Sequence, residues 1–223
     1  MNRINNNPIF ITGAERSGST LIARILDLCG AQSGRCNNMF ENRSIVECNL
    51  NILAPFTFSF PDSSTAITIP KNWRLVIDGV RTVQGDYRRP WFIKHPTLAR
   101  LWPVYYDAYP NSKWLIIRRR TGDVIQSCLK TGHMRLFKQP EVLAQLGLTR
   151  EDEGWLWWIH KYEERFVEMT QAGLDVQVVW PDRMVFGDYK QMQEIIEWLG
   201  LTWNERVPAV IDPLLEKSRE VML

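Results

Sequence analysis

The chain has few cysteines and histidines, little net charge and no long apolar run, and each shortage excludes a class of protein. Its 223 residues include four cysteines and three histidines. No C-x-x-C pair occurs, so neither a zinc site nor a redox motif is expected. A net charge of +2 is too small for a protein that coats nucleic acid or an anionic membrane. No apolar segment approaches the about twenty residues that span a bilayer.

The composition is that of a globular protein with a full core, because 45% of the residues are hydrophobic and 23% are charged. The length fits one domain, and we expect residues 1–223 to form it. The polar start, residues 1–7, contains no apolar signal-peptide region, so we expect a soluble, cytoplasmic protein. Cations are concentrated at residues 88–89 and 118–120. Such local concentration suits one small polyanion as the ligand.

Short apolar runs alternate with helical stretches along the chain. We expect strands at about residues 8–13, 91–94, 113–118 and 175–180, and a further short strand at 74–77. The expected helices are residues 18–29, 43–54, 97–108, 121–131, 152–172 and 187–199. This alternation predicts an α/β fold, a three-layer sandwich with a central, mostly parallel sheet. Two long connections, residues 55–72 and 133–150, are candidate binding loops.

A glycine-containing turn follows the first strand. Residues 13–20 read G-A-E-R-S-G-S-T and keep the G-x-x-x-x-G spacing of a P-loop, so the fold is expected to be P-loop NTPase-like. A strand leading through such a turn into a helix directs backbone N–H groups and the positive helix end at an anion. Ser19 occupies the usual lysine position, and the cation is Arg16. Without that lysine, transfer of ATP's terminal phosphoryl group is the less favoured chemistry.

A second anion site is indicated after the third strand. The apolar run 113–117 leads into R-R-R-T-G-D-V-I-Q-S at 118–127. A strand-end arginine can form paired hydrogen bonds to a phosphate, and a serine on the following helix adds a hydroxyl. Three arginines in a row are otherwise typical of a solvated surface. The apolar strand before them and the serine after them favour the phosphate site.

Both segments resemble motifs of sulfotransferases that use 3′-phosphoadenosine 5′-phosphosulfate (PAPS) as sulfuryl donor. The pattern P-x-x-x-x-G-x-x-R-S-G-S-T-L at 8–21 is similar to their 5′-phosphosulfate loop. The resemblance implies that Arg16 contacts the phosphosulfate and that the next four residues surround the 5′-phosphate, namely Ser17, Gly18, Ser19 and Thr20. In the family's 3′-phosphate motif, an arginine precedes an Asp-Val pair and a serine, which implies Arg119 and Ser127 here. No metal is expected.

A third resemblance concerns the end of the second strand, where W-F-I-K-H-P occupies residues 91–96. Some sulfotransferases use a histidine in this segment as catalytic base, whereas many bacterial members have lysine, aspartate and proline. His95 stands in the aspartate position, so the base is left open. His95 can accept a proton near neutral pH, and Lys94 can stabilise charge on the leaving phosphate oxygen. Capping of a turn or contact with solvent is the alternative role of His95.

Glu41 is the rival base. The stretch E-N-R-S-I-V at 41–46 resembles one that opens a second helix beside the acceptor cleft in bacterial sulfotransferases, and a glutamate is the base in some relatives. A charge near a helix start is also common without function. We prefer His95. Weaker similarities follow near the end of the chain, at Asp182, at 192–201 and in the I-D-P-x-L tail at 211–215.

The sequence therefore predicts an enzyme that transfers a sulfuryl group from PAPS to a hydroxyl or amine of a small-molecule, glycan or peptide acceptor. Its predicted catalytic residues are Arg16, Lys94 and either His95 or Glu41. One alternative is a P-loop kinase, in which Asp78 or Asp182 would hold magnesium at a strand end. The other is a noncatalytic homologue that keeps only the nucleotide pocket.

Overall fold

The computed structural model describes residues 7–56, 71–84, 89–131 and 135–211. Within them, four strands form one sheet: β1 (Ile9–Thr12), β2 (Phe92–Lys94), β3 (Lys113–Ile117) and β4 (Asp175–Val179). All neighbours are parallel, in the order β2-β1-β3-β4, and Phe10 pairs with Ile93 on one side and Trp114 on the other. The predicted α/β class with a parallel sheet is confirmed.

The helices of the described residues follow the predicted order, with additions. They are α1 (Ser19–Leu28), α2 (Arg43–Leu53), α3 (Trp73–Gln84), α4 (Thr97–Arg100), α5 (Trp102–Ala108), α6 (Thr121–Lys130), α7 (Pro140–Gln145), α8 (Glu151–Gln171), α9 (Pro181–Val185) and α10 (Lys190–Trp198). The helix predicted at 97–108 is divided into α4 and α5. Pro103 lies in the first turn of α5, where its missing N–H is tolerated, and it cannot continue a helix from α4.

The strand predicted at 74–77 is wrong, because these residues lie in α3. Trp73, Ile77 and Arg81 are buried at the four-residue spacing of one helix face, whereas Leu75 and Val76 are exposed. A short apolar run does not by itself distinguish a strand from a buried helix. The tail motif, except Ile211, lies outside the described residues, as do Arg88 and parts of both long connections.

The two faces of the sheet bury different side chains. On one face, Phe10 and Trp114 pack with ring centroids 4.3 Å apart, beneath the aromatic residues of α5 and α8. On the other face, Ile11 and Leu115 pack against the aliphatic side of α1 and α10. Because both faces are covered, the strands read as continuous apolar runs. Over the described ranges, no helix is both long and apolar enough to cross a bilayer.

The topology opens a crevice at the carboxyl ends of β1 and β3. Helix α1 follows β1 and packs on the aliphatic face, whereas α6 follows β3 and packs on the aromatic face. Adjacent parallel strands whose following helices diverge to opposite faces leave a cleft between them, where α/β proteins bind ligands. Both predicted phosphate motifs begin at this cleft.

Candidate active site

The loop between β1 and α1 is shaped by two glycines. A side-chain carbon on Gly13 would lie 2.5 Å from the carbonyl oxygen of Ile117 and 2.5 Å from Ser17 Oγ, so only glycine fits there. Gly18 has a φ of 94°, in the left-handed region. Arg16 also has a positive φ, 65°, which is uncommon for a residue with a side chain. Two residues in the left-handed region and a glycine with no room for a side chain thus define the conformation of this loop.

The loop leaves polar groups available for an anion. Gly18 precedes α1 without a capping side chain, and no acidic residue occurs in the first turn. The first N–H groups of α1 and its positive dipole end therefore suit a negatively charged ligand. Ser17 Oγ is buried and has no hydrogen-bond partner within the described residues. A buried hydroxyl without a partner fits a site that an oxygen-rich group completes.

The two predicted phosphate motifs meet in the structure. Arg16 Nε donates a hydrogen bond of 2.9 Å to Ser127 Oγ on α6, across 111 residues of sequence. Arg16 lies in the loop after β1, and Ser127 belongs to the segment that follows β3. Parallel strands β1 and β3 are neighbours, so their carboxyl ends bring these loops together. One ligand with anionic groups at two positions can therefore contact both motifs.

The three arginines after β3 have different surroundings. Arg118 forms two contacts with Glu163 on α8, of 3.1 Å and 2.5 Å, and its guanidinium lies 5.1 Å from the Trp180 ring centre. Arg119 Nε lies 3.5 Å from Asp182 Oδ1, which is long for a hydrogen bond. Arg120 is exposed at the start of α6. Among the three, Arg119 is therefore partly buried and has a single, long contact in the described structure.

Lys94 and Glu41 form an ion pair at the end of β2. Lys94 is buried, and its Nζ lies 2.7 Å from Glu41 Oε1 and 3.4 Å from Thr20 Oγ1. Burial acts to raise the pKa of Glu41, but the hydrogen bond and charge of Lys94 outweigh it, so the pKa is lowered. Asn37 Nδ2 holds the second carboxylate oxygen at 3.3 Å. Glu41 is thus an ionised carboxylate beside the loop.

His95 follows Lys94 directly, and its ring is bound to the start of α4. Its Nδ1 lies 2.6 Å from Thr97 Oγ1 and accepts the backbone N–H of Thr97 at 3.2 Å. Burial lowers the pKa of His95 to about 4, against the raising effect of the Glu41 carboxylate. The imidazole is therefore neutral near pH 7. The structure places both candidate bases beside Lys94, and the choice between them stays a prediction.

Glu15 is a site feature that the sequence did not indicate. Its carboxylate accepts a 2.7 Å hydrogen bond from Trp158 Nε1 and a 3.5 Å one from the Tyr162 hydroxyl, both on α8. Burial raises the pKa of Glu15, against the lowering effect of these donors and of Arg100. Trp158 and Tyr162 both belong to the buried aromatic core. Buried indole and phenol groups need hydrogen-bond partners, which was the available signal.

The acids of the kinase alternative have other partners. Asp78 lies within α3 rather than at a strand end, where it accepts the Tyr109 hydroxyl at 2.9 Å. Asp182 lies in the first turn of α9 and faces Arg119. In the part of the chain that the structure describes, no cluster of three His, Cys, Asp or Glu side chains could hold a metal ion.

Comparison with known proteins shows the family and the fold of this chain. The model of the sulfotransferase family matches residues 8–205, so the chain belongs to that family. The fold is similar to that of sulfotransferase STF9 from Mycobacterium avium, with 14% identity, a TM-score of 0.50, and coverage of 96% of this chain and 69% of that one.

Sulfotransferase STF1 from Mycobacterium tuberculosis H37Rv gives the same identity and TM-score, with 93% and 71% of the two chains covered. At this identity the structural likeness shows the fold alone. Among curated proteins, no match was found.

Proposed function

We propose that this protein transfers a sulfuryl group from PAPS to a hydroxyl or amine of an acceptor. The observation that carries the proposal is the hydrogen bond between Arg16 and Ser127, because it joins the two phosphate motifs into one site. Membership of the sulfotransferase family supports the reaction class. PAPS would supply an activated sulfuryl group whose departure leaves charge on a 5′-phosphate oxygen.

The donor side of the site fits a nucleotide with two separate phosphates. The amides at the start of α1 and the buried Ser17 hydroxyl suit the 5′-phosphate. Arg119 and Ser127 suit the 3′-phosphate, since a guanidinium can donate two hydrogen bonds to phosphate oxygens. In this assignment Arg16 lies between the two groups and faces the charge that develops during transfer.

The acceptor side combines a cation and a carboxylate. Lys94 would stabilise negative charge at the reacting centre, and it lies near Thr20 at the start of α1. Glu41 is ionised and partly exposed, so it is available to take a proton from the acceptor. The Nδ1 lone pair of His95 already accepts the backbone N–H of Thr97, so it is not free to take that proton. We therefore favour Glu41 over His95 as the base in this proposal.

Thermal denaturation of the whole chain tests the nucleotide specificity. Adenosine 3′,5′-bisphosphate without metal should raise the melting temperature more than adenosine 5′-phosphate does, because only it fills both phosphate positions. A ligand at a hundred times its Kd stabilises a protein by about 2.7 kcal/mol. Preferential stabilisation by ATP with magnesium would instead support the kinase alternative.

Turnover separates the enzyme from a noncatalytic homologue. Radiolabelled PAPS is incubated with a panel of simple alcohols, phenols and amines, and labelled products are counted. For at least one acceptor class, the wild type is expected to form more labelled product than the Glu41→Gln variant. Bisphosphate binding without any transfer would favour the noncatalytic alternative. The single domain over 1–223 and the cytoplasmic location stay predictions.

A further inference from the structure

A chain of buried hydrogen bonds runs behind His95. The Tyr105 hydroxyl on α5 lies 2.6 Å from Asn49 Oδ1 on α2, and Asn49 Nδ2 lies 3.0 Å from Thr97 Oγ1 on α4. Thr97 Oγ1 lies 2.6 Å from His95 Nδ1. Tyr105 and Asn49 are fully buried and Thr97 nearly so. Four side chains, from α2, α5 and the segment that begins α4, thus connect the interior to the ring beside Lys94.

A backbone group determines the donor-to-acceptor direction of these hydrogen bonds. An N–H group can only donate, and the N–H of Thr97 lies 3.2 Å from His95 Nδ1. His95 Nδ1 must therefore present its lone pair and carry no proton. In the neutral ring the proton then resides on Nε2. The Thr97 hydroxyl oxygen accepts a hydrogen bond from the Asn49 amide. The proton of the Thr97 hydroxyl is therefore directed at the same Nδ1 lone pair.

The Tyr105 hydroxyl, at the end of the series away from His95, agrees with this direction of the hydrogen bonds. Burial raises the pKa of Tyr105 well above its ordinary value, so the phenol keeps its proton. That proton needs an acceptor, and Asn49 Oδ1 provides it at 2.6 Å. Turning the Asn49 amide around would direct N–H groups at the phenol and remove this acceptor. Each link therefore donates toward His95, and neighbouring bonds of one direction strengthen each other.

We propose that His95 acts as a neutral hydrogen-bond donor through Nε2–H, in a tautomer set by Thr97, Asn49 and Tyr105, and does not act as the base. The inference rests on the proposed sulfuryl transfer. The acceptor's proton then moves to the Glu41 carboxylate. The acceptor's electron pair forms the new bond to sulfur, and the electrons of the breaking S–O bond remain on the phosphate oxygen.

His95 and Lys94 have complementary roles in this scheme. Both donate hydrogen bonds to oxygens that gain negative charge, and a donor in such a place contributes roughly a hundredfold to a thousandfold in rate. Thr97, Asn49 and Tyr105 are positioning residues, since they act through the ring. A neutral donor beside a cation also avoids placing two positive charges together in a partly buried site.

Nitrogen NMR of histidine-labelled protein tests the tautomer without any substrate. The chain has three histidines, and His95→Gln identifies the signals of residue 95. Nε2 should show the shift of a protonated nitrogen and Nδ1 that of an unprotonated one, unchanged over about pH 6 to 8. Glu41 and Lys94 are the charged groups that face the ring. A proton on Nδ1, or titration near the ordinary pKa of 6.5, would overturn the proposal.

Matched variants test the positioning role. Thr97→Val removes the hydroxyl but keeps the backbone N–H and the side-chain shape, so the Nδ1 signal of residue 95 should move toward that of a nitrogen with one hydrogen bond fewer, while Nε2 stays protonated. Thr170→Val makes the same exchange on α8, where the hydroxyl contacts only the Phe166 carbonyl among the described bonds, and should change nothing. Unchanged signals in Thr97→Val would show that the Thr97 hydroxyl does not bind Nδ1, which would remove Asn49 and Tyr105 from the positioning role.

Turnover of two His95 variants completes the test, with radiolabelled PAPS and the best acceptor of the simple panel. His95→Gln retains an N–H donor near the position of Nε2 and should stay within about tenfold of the wild type. His95→Ala should lose roughly a hundredfold. If both variants lose turnover by the same large factor, His95 is the base and the proposal is wrong. Because bisphosphate binding is measured separately, a wrong tautomer with normal binding contradicts this inference and leaves the proposed function standing.

Discussion

The two halves of the candidate site differ in how their polar groups are satisfied. On the donor side, around the β1–α1 loop, Ser17 Oγ is buried without a partner in the described structure, and the amides that begin α1 lack a capping side chain. On the acceptor side, Lys94 and Glu41 are bound to each other and His95 is bound to Thr97. The donor half is thus prepared for an incoming anion, whereas the acceptor half must exchange internal contacts for substrate.

The difference follows from how each half is built. A local turn between a strand and a helix directs the backbone amides of the donor half, so its anion site exists before any ligand binds. Side chains from the loop before α2 and from the end of β2 form the acceptor half, and isolated charges there would be costly to bury. Mutations that act on only one half should therefore separate binding from turnover.

The largest effect is expected at the carboxylate of the acceptor half. Glu41→Gln should lower turnover about a hundredfold or more, the range for loss of proton-transfer catalysis, while bisphosphate affinity stays near that of the wild type. Glu47→Gln on α2 is the matched control, because Glu47 pairs with Arg43 at the surface. Steady-state kinetics and calorimetry provide the two readouts. Equal turnover in both variants would contradict the role of Glu41.

Arg119→Ala tests the donor half at its far end. Loss of a charged donor should weaken adenosine 3′,5′-bisphosphate binding by about 1.5 to 3 kcal/mol, and adenosine 5′-phosphate binding much less. Arg120→Ala removes the exposed neighbouring arginine and should affect neither ligand. Isothermal titration calorimetry measures all four affinities. Similar losses for both nucleotides in Arg119→Ala would remove the 3′-phosphate assignment.

Ser17→Ala should change stability and binding in opposite directions. Removing a buried hydroxyl without a partner should stabilise the free protein by about 1 kcal/mol, and losing its hydrogen bond to ligand should weaken bisphosphate binding several-fold. Ser112 is the control, because its hydroxyl is also buried and without a partner in the described structure, yet it lies at the amino end of β3. Ser112→Ala should stabilise the protein without changing its affinity for bisphosphate. Unfolding in urea and calorimetry measure the two effects.

If Ser17→Ala loses stability as well as affinity, the hydroxyl has a partner in the free protein and the donor half is not open. If both serine variants bind bisphosphate normally, Ser17 makes no contact with the nucleotide.

The smallest effect is a pH dependence at Glu15, a residue of the β1–α1 loop. Burial raises the pKa of Glu15 in the folded protein above its ordinary 4.5. A carboxyl group with a raised pKa contributes its full stability below 4.5, and the contribution is lost as pH rises through the folded pKa. Glu15→Gln should therefore gain stability relative to the wild type as pH increases. Glu164→Gln, at an exposed position of α8, should show no such trend.

Urea unfolding at several pH values measures this difference in the free energy of unfolding. A difference that does not change between pH 4.5 and neutrality would mean that Glu15 keeps its ordinary pKa when folded.

The sequence predicted most of the elements that carry the site. The bounds expected for α6 and for β3 agree with the structure within one residue at each end. These segments combine apolar periodicity with clear start and stop residues, so local pattern suffices. The error at 74–77 arose where a three-residue apolar run had no such context. Helix α3 packs on the core through Trp73 and Ile77, and this contact is formed only in the tertiary structure.

The sequence by itself determined the local conformation of the site, whereas the tertiary structure decided its charges. Glycine spacing and strand ends predict a turn that directs amides at an anion, because backbone geometry depends on neighbouring residues. The contacts of Arg16 with Ser127, of Lys94 with Glu41 and of Glu15 with Trp158 span 111, 53 and 143 residues. Strand order and helix packing alone bring these partners together, and the partners in turn set which groups ionise and where the proton of His95 resides.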